Sequence, residues 1–273
     1  MPKTTPTLSR RTFAAGLLSA PLWSLPAWTQ TPALPKEVRI GYQKGSAILL
    51  LDRKTQAVEK RLKALGVEKL TWVEFQFGPP LLEALGAGAI DLGSVGDTPP
   101  IFAQAGQAHL VYVATSPSSQ HAVLVPKDSP LQTVADLKGK KVAFGKGSSA
   151  HNVTIKALVD TGTQPSLASS SYYMASRDFA QRQGPLLAEI LKTLQQTTHW
   201  ASANREELVQ LASQDTGMDP EVWRTAYGRA NLDLQPISTA HVAQQQQLAD
   251  SFHALGIIPR KLQVQEIVWN WQV

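Results

Sequence analysis

The chain has 273 residues, 43% hydrophobic and none of them cysteine, so it can bury a sizeable core in one large or two small domains but can form no disulfide, thiolate nucleophile or Cys-ligated metal site. Its 26 basic and 21 acidic residues give +5, yet Lys3, Arg10 and Arg11 lie in a first stretch of 29 residues that holds no acid, which leaves 23 against 21 in the remainder. A nearly neutral body argues against a nucleic-acid partner.

In chain order, residues 1–29 read as an export signal. A polar, basic start leads into an apolar stretch from Ala14 to about Trp28, which Pro21 and Pro26 interrupt and which is too short to span a bilayer permanently. Ser9, Arg10, Arg11, Thr12 and Phe13 fit the twin-arginine pattern, so the expected location is the periplasm.

Short strands then alternate with short helices. "VRIGY" (38–42) reads as a strand, and Leu51, Val58, Leu62 and Leu65 fall at the spacing of one helix that Gly66 closes. Strands are expected again at "LTWVEFQF" (70–77), "AIDLGSV" and "HLVYVAT", with proline-opened helices at "PPLLEALGAG" and "PPIFAQAGQ" between them. From His121 the rhythm repeats: strand "HAVLVP", a helix near "TVADLKG", strand "KVAFG", and a helix from about Ser149 to Val159. The rest is mostly helical, at Asp178 to Thr197, from Asn204 with Glu207 as a capping box, at "DPEVWRTAYG", and at Thr239 to Leu255. The alternation predicts an α/β fold around a parallel or mixed sheet covered on both faces.

In such sheets small ligands sit at the carboxyl ends of strands, where helix N-termini offer free N–H groups. Three segments have this character: "GYQKG" (41–45), "GSVGDTPP" (93–100) and "GKGSSAHN" (145–152). Their glycines admit close backbone approach, and their hydroxyls and amides are neutral donors to an anion. Taken alone, Gly-Asp-Thr-Pro-Pro is also a sound turn and helix start. "GKGSS" is no phosphate loop, since Lys146 is followed by Gly147 where that motif needs Ser or Thr. No G-x-S-x-G elbow occurs, and the six histidines show no metal-binding spacing. The expectation is therefore a binding protein, with no catalytic residue, metal or cofactor. The tryptophans, Trp223 among them, are assigned to core or surface.

"RIGYQKG", "WVEF", "LLEALGAGAIDLGSVGDTPPIFAQA", "LVYVAT", "TVADLKGKKVAFGKGSSAHN" and the late "IIPRKLQVQEIVW" resemble the aliphatic sulfonate-binding proteins of bacterial ABC importers, within the sulfonate, nitrate and taurine group of type II periplasmic binding proteins. The resemblance implies a two-lobed fold, a monomer, a small sulfonate held between the lobes, and permease and ATPase subunits as partners. Taurine, nitrate and a shortened copy with impaired binding are the alternatives. Carried over position by position, the ligand contacts are Gln43; Gly96, Asp97 and Thr98; and Ser148, Ser149, His151 and Asn152. The implied layout is a first lobe over 36–118, a second over 119–170, and a return over 171–273. The second lobe departs from the family pattern. "TGTQPSLASSSYYMASRDFA" passes almost directly from the helix near Gly162 to the returning hinge strand, so several tens of residues are missing and one wall of the cleft is truncated.

Overall fold

The computed structural model describes residue 1, residues 32–159 and residues 168–271; all but the first residue of the expected export signal lies outside the described residues. Strand β1 (Glu37–Tyr42) alternates, burying Val38, Ile40 and Tyr42 on one face. It pairs in parallel with β2 (Lys69–Glu74) and with β3 (Leu92–Gly96), on opposite sides. Beyond β3 lie β5 (Ala168–Ser176), antiparallel to it, and then β4 (Leu110–Gln120), which gives the order β2-β1-β3-β5-β4. The register of β4 slips between Ser116 and Ser119, at Pro117, which has no N–H to give to a ladder.

Helices cover both faces. On one, α1 (Ala47–Thr55), α2 (Ala57–Leu65), α7 (Gly184–Ala203), α8 (Arg205–Thr216) and α9 (Pro220–Arg229) bury Leu49, Leu62, Ile190, Leu208 and Trp223 against β1 and β4. On the other, α3 (Gly78–Gly86), α4 (Thr98–Ala105) and α10 (Thr239–Ala254) bury Leu81, Ile101 and Phe252 with Tyr112 and Tyr172. Each fully buried side chain of this size contributes about 2 kcal/mol. Tyr172 and Tyr173 are neighbours on β5 and so enter opposite cores.

Several elements depart from the sequence reading. The single helix expected after β1 is two helices, because Gln56 takes a left-handed turn (φ 58°) and the Asp52 side chain accepts the Val58 N–H to start the second. The helix expected from Asp178 breaks at Gln183 into α6 (Arg177–Arg182) and α7, since Pro185 has no N–H with which to continue the first. The capping box at Asn204 does not form; its Nδ2 donates back to the Trp200 carbonyl instead. Asp219 and Ser238 do cap α9 and α10.

The largest correction falls between β4 and α5 (Ser149–Val159). Neither "HAVLVP" nor "KVAFG" joins a ladder, and the helix expected near "TVADLKG" is one 3-10 turn at Val134–Leu137. A strand is stable only when its N–H and C=O groups find a neighbour. Among the described residues none is provided, and Leu124 (88% exposed) and Phe144 (42%) stay in water.

Asp52 is wholly buried, where it accepts the Val58 N–H and the Thr197 hydroxyl and so locks α7 against the α1–α2 corner. Burial pushes its carboxyl up from 3.8 to about 6. The folded state therefore holds this proton more tightly than the unfolded state does. Its stabilising effect is complete below about pH 4 and is lost as pH rises through about 6. Asp52→Asn should thus gain about 2 kcal/mol at pH 7.5 and almost nothing at pH 4, read from denaturant midpoints. An equal effect at both pH values would contradict this account.

Candidate functional site

The first parallel strands end at one edge of the sheet, and each hands over to a helix there. After β1, the Ser46 N–H donates to the Gln43 carbonyl at 2.8 Å and closes a turn, and the Leu50 N–H reaches the Ser46 carbonyl at 2.9 Å as α1 begins. The Ser46 side chain makes no capping bond. The N–H groups of Ala47, Ile48 and Leu49, in the first turn, have no partner within the helix. Gln43 is fixed across the strand ends by its Nε2, which donates to the Ser94 carbonyl at 3.0 Å.

After β3, the chain passes through Gly96 into α4, and α5 starts against the same glycine. A Cβ on Gly96 would lie 1.7 Å from Ser149 Oγ, so only glycine lets the two approach. Pro99 and Pro100 in the first turn of α4 carry no N–H, and Asp97 ahead of them offers the helix no side-chain cap. Gly147 (φ +77°) makes the left-handed turn that leads into α5.

Between these elements lies a cleft of about 580 Å³. Gln43, Gly96 and Ser149 line it, joined by Ser46, Ser94, Ser116, Ser169 and Ser171. Its basic lining residues are Lys44 and His121, and no Asp or Glu lines it among the described residues. Lys44 is half exposed and 3.8 Å from Glu74, a weak and screened pair. The other side is apolar and aromatic, formed by Ile48, Tyr173, Trp223, Tyr227 and Leu232. The Trp223 indole N–H is spent on the Thr216 hydroxyl at 2.9 Å, which leaves the ring to act as an apolar surface.

The remaining residues singled out from the sequence lie outside this lining. Asp97, Thr98 and Asn152 form a buried cluster, in which Asp97 accepts from the Thr98 hydroxyl at 2.8 Å and from Asn152 Nδ2 at 3.0 Å. The Ser148 hydroxyl turns to the Gly145 carbonyl at 2.7 Å. His151 stacks on Phe144 (4.9 Å) and Phe102 (6.2 Å), and its Nδ1 accepts the Gly147 N–H. Burial, and then the Lys146 charge, hold its imidazole below the usual range. The sequence reading missed the serines of β4 and β5, and it placed Trp223 in core or surface. The triplet Ser169–Ser171, alternating on a strand, carried a readable signal; Trp223 is too distant along the chain to carry one.

Residues 55–209 match the family model described as "ABC transporter, phosphonate, periplasmic substrate-binding protein". The chain is 34% identical to the aliphatic sulfonates-binding protein of Escherichia coli (strain K12) over 94% of each chain. The 308 aligned positions meet about 257 residues of this chain (94% of 273), leaving about 51 with no residue opposite. Among solved structures it superposes on the alkanesulfonate-binding protein of Xanthomonas axonopodis pv. citri bound to MOPS (TM-score 0.77, 32% identity, 87% of this chain and 99% of that one). It also superposes on the periplasmic aliphatic sulphonate-binding protein of Escherichia coli (TM-score 0.74, 32% identity, 88% and 94%).

The contact at Gly96 gives a direct test. Gly96→Ala should push the start of α5 away from the sheet and cost about 1 to 3 kcal/mol of stability in thermal or denaturant unfolding. Ser149→Gly in the same chain should recover part of that loss. An unchanged midpoint for Gly96→Ala would show that α5 does not sit on β3.

Proposed function

Because the chain belongs to the periplasmic substrate-binding proteins of ABC transporters, we propose that its cleft binds an aliphatic sulfonate and delivers it, as a source of sulfur, to the permease and ATPase subunits of an importer. The observation that carries this reading is a cleft lined mostly by neutral donors and, among the described residues, by no carboxylate, with the first turn of α1 opening into it. A sulfonate stays charged at any physiological pH and needs donors on several oxygens. Hydroxyls, the Gln43 amide and helix-end N–H groups supply them, without the large desolvation cost of a buried counter-ion. The aromatic side receives a short organic substituent such as an ethyl group. Gln43, Gly96 and Ser149 are the contacts in this reading, and Asp97, Thr98 and Asn152 hold the loop that presents them.

The protein acts as a monomer in the periplasm, exported through its residues 1–29, and it binds and releases without altering the ligand. The twin-arginine pair predicts that Arg10→Lys with Arg11→Lys slows delivery of the precursor. Taurine fits less well, since its ammonium would meet Lys44 and His121 and, among the described lining residues, no acid. Nitrate makes no use of the apolar side. With the second lobe shortened, water reaches the site, and affinity should fall below that of a full-length relative.

Calorimetric titration with ethanesulfonate, taurine and nitrate tests the assignment. Ethanesulfonate should bind at least tenfold more tightly than either of the others, and equal affinity for nitrate would overturn it. Ser149→Ala and Gln43→Ala should each weaken ethanesulfonate by about 1 to 2 kcal/mol, and Lys44→Ala by less, chiefly at low salt.

A further inference from the structure

Beside the cleft runs a second depression, and His121 lines both. It has a volume of about 420 Å³, and its walls are the two segments that were expected to be strands together with one face of α5. Val123, Leu137, Val142, Phe144 and Val153 give it an apolar lining, and Lys140 and Lys141 stand among them. No Asp or Glu lines this groove either, among the described residues. The whole stretch 119–159 carries six lysines against two aspartates. The apolar surface is left open: Leu124, Val125 and Phe144 are 88%, 43% and 42% exposed.

An exposed apolar groove with basic residues and no acids suits an apolar chain that bears negative charge. A second copy of this protein would bring a stretch of the same positive charge against it. Resting on the sulfonate reading of the cleft, we propose that the groove is a tail site: the sulfonate sits at Gln43 and Ser149, and a long alkyl chain passes His121 to lie between Val123, Val142 and Phe144. The ligand class is then a long-chain, surfactant-like alkanesulfonate. The shortened lobe gains this site because its strands do not pair and its interior stays accessible.

The test is calorimetry on the full chain with ethane-, butane-, octane- and decanesulfonate, each below its micelle concentration. Affinity should rise roughly threefold per methylene and keep rising beyond butanesulfonate. Leu124→Ser and Phe144→Ser should each weaken decanesulfonate about five- to tenfold and leave ethanesulfonate unchanged; Leu124 is exposed enough that its variant keeps the fold. Decyltrimethylammonium, which has the same tail and the opposite charge, should bind at least tenfold more weakly than decanesulfonate. Affinity that stops rising at butanesulfonate, or equal binding of the cationic surfactant, overturns the tail site and leaves the cleft reading intact. Failure of ethanesulfonate and decanesulfonate alike would instead remove the cleft reading. Sedimentation without ligand covers the other occupant: a dimer that decanesulfonate does not dissociate would show that a second copy fills the groove, against the proposal.

Discussion

A buried residue, Asp97, ties α4, α5 and α10 to one another through hydrogen bonds. Its carboxyl group accepts from Thr98 at the start of α4 and from Asn152 on α5, and its carbonyl accepts from Gln245 of α10. All four residues are at least nine-tenths buried. A hydrogen bond in such a place is costly to leave unmade, so the cluster behaves as a unit. The same Gln245 reaches the Tyr112 hydroxyl at 3.0 Å and so links the cluster to β4. Without it α5 would lean on the sheet through the Gly96–Ser149 contact and a few apolar side chains. Of the stretch between β4 and β5, α5 is tied to this node through Asn152.

The character of the cleft follows from that placement. The order β2-β1-β3-β5-β4 sets the ends of β1 and β3 side by side, so the donors of two strand-to-helix turns converge with those of α5. Asp97 is near enough to matter electrostatically, but its oxygens are turned inward onto Thr98 and Asn152 and do not line the opening. What faces the cleft is neutral or positive. In the proposed reading an anion is held by many modest dipoles, and such binding is less sensitive to salt than binding by exposed lysines.

Much of the sheet could be read from the chain, because β1 alternates apolar and polar residues, β3 is bounded by glycines and β4 opens on the apolar run Leu110–Ala114. The helix breaks at Gln56 and Gln183 could not, since each depends on a local competition: a carboxyl group that caps the next helix, and a proline one residue beyond a glycine. Of the site, the loops at 43, 96 and 149 were visible as glycine-rich turns opening helices. Which of their side chains face the cleft was not, because Asp97, Thr98, Asn152 and His151 are polar residues with partners that only the folded chain supplies. The pairing failure at "HAVLVP" and "KVAFG" has the same origin. Their pattern is that of strands, but a strand is a property of two segments, and among the described residues no second segment pairs with either.

The central claim is that backbone N–H groups at helix starts, and not a charged side chain, hold the anion. Amide proton and nitrogen shifts in an isotope-labelled sample, titrated with ethanesulfonate, test it most directly. The account predicts the largest downfield amide shifts at Ala47, Ile48, Gly96 and Ser149, with saturation at one equivalent. Saturating shifts confined to other parts of the chain, with these four amides unmoved, would contradict it.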